Sequence, residues 1–236
     1  MSIEEYSNWN QRASDSDVEQ EPYRKYVFVC EGKNTEVWYF KRLIDLRREL
    51  GIHPLIDLRL WEKTEEDVSL SAPIRLIKYA NEQKRLLAFD STFDKLVIVF
   101  DADVFQRKPP EAYHELLNLC EPDNIFAVTN PSFELFLLLH INDAYSNIIL
   151  PNQQALLENK KIRKRRFADL LLRRVAGING KKNKDGVANL ANHVGTAISQ
   201  EKLLNQDINR CLGRLTSNIA KIIDDICHDA PRQSFN

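Results

Sequence analysis

The 236-residue chain holds only seven glycines. So few argue against a β-sandwich or a turn-rich barrel, which need glycine at many tight turns. Its four cysteines, Cys30, Cys120, Cys211 and Cys227, form no C-x-x-C pair and have no histidine at zinc-site spacing. They read as reduced core thiols, and a structural zinc is not expected. No stretch approaches the roughly 20 apolar residues that cross a bilayer. The N-terminus is acidic and polar, the opposite of a secretion signal, so the expected location is the cytoplasm. A Gly-x-x-x-x-Gly-Lys-Ser/Thr phosphate loop is missing, so any ATP-driven step needs another chain. No internal repeat or low-complexity tract is visible.

What is present is an ordinary soluble balance, 43% apolar and 28% charged, with length enough for one large domain or a domain and an appendage. The net charge of −1 conceals a division along the chain. Residues 1–21 carry six acids against Arg12 alone, while residues 160–184 carry eleven Lys and Arg against Asp169 alone. The second block suggests a segment that faces a polyanion.

Three regions are expected: an acidic disordered tail over 1–22, an α/β core over 23–145, and a helical extension with the basic segment over 146–236. In the core, Tyr26–Cys30, Leu55–Trp61, Leu96–Phe100 and Ile125–Val128 read as strands, the first, third and fourth as short apolar runs buried on both faces. Helices are expected after Asn34 or Thr35 as cap, over residues 73–88, over 110–120, and from Asn130-Pro131 as cap and first helical residue. Alternation of strand and helix predicts a parallel sheet flanked by helices. Beyond Pro151 only helices are expected.

The acids fall at informative places. Glu31 follows the first strand, Asp101 and Asp103 follow the third, and Glu134 comes within a turn of the fourth. In a doubly wound sheet these ends share one edge, where ligands bind. Carboxylates gathered there suit Mg²⁺ or Mn²⁺, a hard cation that takes oxygen ligands and polarises phosphoryl oxygens. Asp101 and Asp103, two residues apart on a turning backbone, can reach one ion. Glu31 is either a further ligand or the group that moves a proton, its pKa raised beside two aspartates. Glu134 is a candidate for the same rim, although an acid in a first helical turn is favoured in any case. The same bland explanation covers Thr35 and Glu36. His140, six residues beyond Glu134, is turned away from it and reads as a core or capping histidine.

Strand-Glu31-Gly32 followed by strand-Asp101-x-Asp103 resembles the Toprim domain of topoisomerases, primases and related nucleases. Val29-Cys30-Glu31-Gly32-x-x-Thr35-Glu36-x-x-Tyr39-Phe40, then Phe100-Asp101-x-Asp103, then Asn130-Pro131-Ser132-Phe133-Glu134 running on to His140, resembles the RloB family over roughly residues 24–180. The resemblance implies a Toprim (Rossmann-like) fold and a Mg²⁺ site on Glu31, Asp101 and Asp103. It also implies nuclease-like action on nucleic acid in phage defence or abortive infection, with other defence proteins as partners. It adds Glu36 as a residue beside the metal.

Nucleic-acid contacts are expected from Lys33, Lys160, Lys161, Arg163, Lys164, Arg165, Arg166, Lys181 and Lys182, since each phosphate neutralised releases counterions without reading sequence. A solvated helix face is the plain alternative. Phe167 is the only aromatic residue interleaved there, so no stacking platform is indicated. The leading expectation is a Mg²⁺-dependent nuclease. Its alternatives are a non-catalytic module that binds nucleic acid or nucleotide and regulates a defence partner, and an enzyme of nucleotidyl or phosphoryl transfer. DNA or RNA as substrate, the trigger, and assembly into a homo-oligomer stay open.

Overall fold

The computed structural model describes residues 4–9, 22–63 and 72–231. Four parallel strands form its centre: β2 (Arg24–Cys30), β3 (Ile56–Glu62), β4 (Lys95–Asp101) and β5 (Asn124–Asn130). An antiparallel strand closes each side, β1 (Glu4–Ser7) against β3 and β8 (Thr216–Ser217) against β5, giving the order β1-β3-β2-β4-β5-β8. The expected α/β class, a mostly parallel sheet flanked by helices, is the observed one.

Period-2 alternation divides the central strands between two apolar layers. Tyr26, Phe28 and Cys30 of β2, with Val97 and Val99 of β4, face α1 (Thr35–Asp45), α4 (Phe133–Leu138) and the later helices α6 (Phe167–Ala176), α7 (Lys184–Leu190), α8 (Val194–Glu201) and α9 (Ile219–Cys227). Val27, Val29, Leu96, Ile98 and Phe100 face α2 (Pro73–Leu86) and α3 (Pro110–Leu117). Both faces are covered, which is why these strands are written as continuous apolar runs.

Several expectations are corrected. Glu4–Ser7 is an edge strand and no disordered tail. Glu5 pairs with Arg59 at 2.6 Å and accepts from the Trp61 indole at 2.9 Å, and the Tyr6 hydroxyl donates to Asp45 at 2.7 Å. Residues 10–21 of the expected tail lie outside the described residues. The region after residue 146 is not only helical: β8 joins the main sheet, and Lys161–Ile162 (β6) pairs with Arg165–Arg166 (β7) in a hairpin. Its helices contribute Leu171, Leu172, Ile219 and Ile223 to the same apolar layer as β2, so the extension is built into the core.

Neither Asn34 nor Thr35 caps α1 through its side chain; the Thr35 hydroxyl instead donates to the Gly180 carbonyl at 2.8 Å. Asn130 ends β5, donating to the carbonyls of Cys211 and Arg214, and Pro131 follows it through a cis peptide before α4 starts at Phe133. Cys30 and Cys211 are buried and Cys227 is half-buried, but Cys120 is exposed, and all four are free thiols.

Candidate functional site: a carboxylate rim under a basic hairpin

From β2 the sheet grows in both directions, to β3 on one side and to β4 and β5 on the other. Where strand order reverses in this way, the connections leave in opposite directions and a crevice opens beyond the carboxyl ends. Glu31 follows β2 and Asp101 ends β4, so both stand at that reversal. The Glu31 amide donates to the Val99 carbonyl at 2.9 Å, and the Asp101 amide donates to Glu31 Oε2 at 3.2 Å. Asp101 Oδ1 accepts from the hydroxyl of Thr129, its register partner on β5, at 2.6 Å. Glu134, in the first turn of α4, accepts from the Ser132 hydroxyl at 2.7 Å.

Glu36 joins them. Its carboxylate folds back against Gly32, accepting from the amides of Glu36 and Gly32. A Cβ at position 32 would lie 2.0 Å from its Oε2, so any larger residue there displaces this carboxylate from where it lies.

The electrostatics pick out four acids. Burial raises Glu31 to about 7, with Glu36 and Asp103 adding and the Asp101 amide opposing. Burial likewise raises Glu36 to about 7, and Glu134 adds to it. Asp101 is pushed well above the carboxylate range by burial and then by Glu36, Glu134 and Glu31, against the Thr129 hydrogen bond. Asp103 is also raised by burial, but Arg166 opposes it. Glu36 and Glu31 therefore burden Asp101, Glu36 burdens Glu31, and Glu134 adds to Glu36 and Asp101, while Asp103 is paired at 3.2 Å with the Arg166 guanidinium.

Behind the rim, at the end of β3, Lys63 donates to the Glu31 carbonyl. Burial lowers its pKa, with Cys30, Glu31 and Glu36 opposing.

Acids and bases line a single cleft of about 850 Å³. From the rim come Glu36, Asp101, Asp103 and Glu134; from the basic segment come Lys161, Lys164, Arg165, Arg166, Lys181 and Lys182, with Lys33 beside them. Glu31 lies next to this lining through its bond to Asp101. Two expected phosphate contacts are not in the lining: Lys160, paired with Glu158 at 2.8 Å, and Arg163, which takes a φ of 58° in the two-residue turn of the hairpin. His140 is buried on the Tyr39 hydroxyl at 2.9 Å and depressed to about 4 by burial, a core histidine.

Lys63 and Asn159 were not among the expected site residues, and Glu36 was expected only through the resemblance, beside the metal. Glu36 was visible in the Glu-Gly-x-x-Thr-Glu spacing, and Lys63 in the rule that parallel strand ends share an edge. Asn159 occupies the left-handed position after α5 (Gln153–Glu158), where Asn is a favoured helix terminator.

The donors at the rim are carboxylate oxygens carrying mutually repelling charge, and that chemistry fits a hard divalent cation. Among the described residues, no three His, Cys, Asp or Glu side chains are gathered as a metal-holding group. Glu31 is held by the Asp101 amide, Asp101 by Thr129, and Asp103 by Arg166. No helix among the described residues is long and apolar enough to cross a membrane.

A family model described as RloB-like protein matches residues 26–226. No curated protein and no solved structure matches the chain.

Proposed function

The chain belongs to the RloB-like family, and from that premise we propose that it is a Toprim-type, Mg²⁺-dependent nuclease acting on nucleic-acid phosphodiesters in phage defence, in the cytoplasm. The observation that carries the reading is one cleft lined by both the raised carboxylates of the strand ends and six Lys and Arg of the basic segment. A phosphodiester is the ligand class that needs both: cations for its charge, and metal-binding acids for its chemistry.

Asp101, with Glu31 and Asp103, would hold the cation, and Glu36 and Glu134 supply the surrounding negative field. The cation would supply a polarised phosphoryl oxygen and a stabilised leaving oxygen. Glu36, at about 7 in the metal-free protein, is suited to move a proton at neutral pH, and Glu31, also at about 7, takes that part only if it does not hold the cation. Lys161, Lys164, Lys181 and Lys182 orient the backbone of the substrate. Among the described residues, no exposed aromatic ring lines the cleft, so it offers no stacking platform for bases.

One observation favours a second reading. Since among the described residues no three His, Cys, Asp or Glu side chains are gathered as a metal-holding group, the cleft also suits a regulatory module that binds nucleic acid or nucleotide without turnover. The deciding experiment compares wild type with Asp101→Ala/Asp103→Ala on labelled DNA and RNA, with Mg²⁺, with Mn²⁺ and with EDTA. Metal-dependent cleavage that the double variant loses supports the nuclease. Binding without cleavage by folded protein, retained in the variant, sinks the nuclease and leaves the module.

A further inference from the structure

Resting on the metal-dependent reading of the cleft, the structure distinguishes two adjacent arginines that the sequence presents as equivalent. Arg165 is anchored: it pairs with Asp169 at 2.9 Å, and that carboxylate is only 6% exposed. Arg166 pairs instead with Asp103 at 3.2 Å, its own side chain 42% exposed and its partner 18%. A pair that open to water is weak and exchangeable. A guanidinium fork takes a phosphate through two parallel hydrogen bonds, so a phosphodiester competes well for Arg166.

The base of the hairpin supplies a second donor. Arg166 also donates to the Asn159 carbonyl at 3.3 Å. Asn159 is fully buried, and its Oδ1 holds the Ala168 amide in the first turn of α6 at 3.0 Å. Its Nδ2 is buried with no acceptor in reach, and the residue belongs to the cleft lining. The first amides of α6 are taken, Phe167 by the Lys160 carbonyl and Ala168 by Asn159 Oδ1, so it is the unpartnered Asn159 Nδ2 and the loosely held arginine that together describe a place for an oxyanion.

We propose that Arg166 is a positioning residue that couples substrate to metal. It holds Asp103 until a substrate phosphate seated at Asn159 takes the guanidinium, and Asp103 is then released to the cation. Because binding linkage is reciprocal, substrate tightens metal by the same factor as metal tightens substrate. A cation that arrives without substrate must compete with Arg166 for Asp103, which keeps the site from closing on metal alone.

The test follows Mn²⁺ binding by electron paramagnetic resonance in wild type, Arg166→Gln and Arg166→Lys. Each is measured with and without a short phosphorothioate oligonucleotide chosen to resist cleavage. Arg166→Gln should bind Mn²⁺ alone more tightly than wild type, on the order of 5-fold, and oligonucleotide should tighten Mn²⁺ in wild type but not in this variant. Arg166→Lys, which keeps the charge without the fork, should fall between. In an Asp103→Asn background the Arg166→Gln gain should vanish, and Asn159→Asp, which keeps the cap on α6, should weaken the oligonucleotide effect. Thermal melts establish that each variant is folded. Metal binding that requires Asp101 but is indifferent to Arg166 overturns the coupling alone. Mn²⁺ binding unaffected by Asp101→Asn removes the metal-dependent reading and the coupling with it.

Discussion

Two regions of this molecule bury acid side chains, and they do so in opposite ways. Glu201, at the end of α8, is fully buried and its pKa is raised by burial, opposed by hydrogen bonds from the Ser217 hydroxyl, the Ala220 and Lys221 amides and Gln206. Those amides belong to the first turn of α9, so Glu201 is the cap of a helix that carries much of the core. At the cleft, burial raises Asp101 as well, but the groups around it are Glu36, Glu134 and Glu31, which raise it further. Burial of an acid alone therefore marks nothing. A buried acid surrounded by donors is structure, whereas buried acids facing one another spend stability and imply a ligand that relieves them.

The sharpest way to break that contrast is to neutralise one acid of each kind. Asp101→Asn should abolish metal-dependent turnover, by on the order of 10³-fold or more, as loss of a preorganised charge at a reacting phosphate does. It should leave the metal-free protein as stable as wild type or more so, because one member of a repelling set is gone. Glu201→Leu should do the reverse. It strands the Ser217 hydroxyl and two amides, at a cost of about 3 kcal/mol in denaturant melts, while whatever protein stays folded keeps its turnover. If Asp101→Asn destabilises as Glu201→Leu does, the two regions are not different in kind.

A smaller effect is expected from Gly32→Ala. The added methyl would lie 2.0 Å from the Glu36 carboxylate and displace it from the rim. Turnover should fall about tenfold, in the range of supporting residues around a metal, with thermal stability nearly unchanged. A drop that Glu36→Gln reproduces, and that the double variant does not deepen, ties the glycine to Glu36 and to nothing else.

The same contrast explains what the sequence could and could not convey. The strand ends with their acids were legible, because a strand buried on both faces is an unbroken apolar run and Glu31, Asp101 and Asp103 interrupt it abruptly. Glu36 was legible only through the family pattern, because an acid in a first helical turn already has a local explanation; its burial against Gly32 depends on a backbone approach that residue types do not encode. Glu4–Ser7 could not be recognised from four residues, since what holds that strand is distant, Arg59 and Trp61 of β3. The basic hairpin was hidden for a similar reason. Lys161–Arg166 has almost no β-forming side chains, and the carboxylate that anchors Arg165 is Asp169, in the helix that follows.

The finest test of the comparison is the pH dependence of stability without metal. Glu31 and Glu36 have ordinary values of 4.5 and sit at about 7 in the folded protein. Between those values the folded chain keeps protons that the unfolded chain has lost, so these two acids lower stability as pH rises from about 4.5 to about 7; Asp101 carries the fall higher, and His140, depressed to about 4, opposes it below about 6.5. Glu36→Gln should flatten that fall and raise the melting temperature at pH 8 by a few degrees, since about 1 kcal/mol is worth roughly 2–4 °C in a chain of this size. Mg²⁺ at pH 8 should recover part of the loss in wild type and less in the variant, because a cation that binds only the folded form adds stability by mass action. Glu201→Gln should lower the melting temperature at every pH, since its amide nitrogen must stand either where Oε1 accepts from Ser217 and Ala220 or where Oε2 accepts from Lys221 and Gln206. Should Glu36→Gln behave in that second way, Glu36 is held by its neighbours rather than opposed by them, and the rim loses the electrostatic strain on which its reading as a metal site depends.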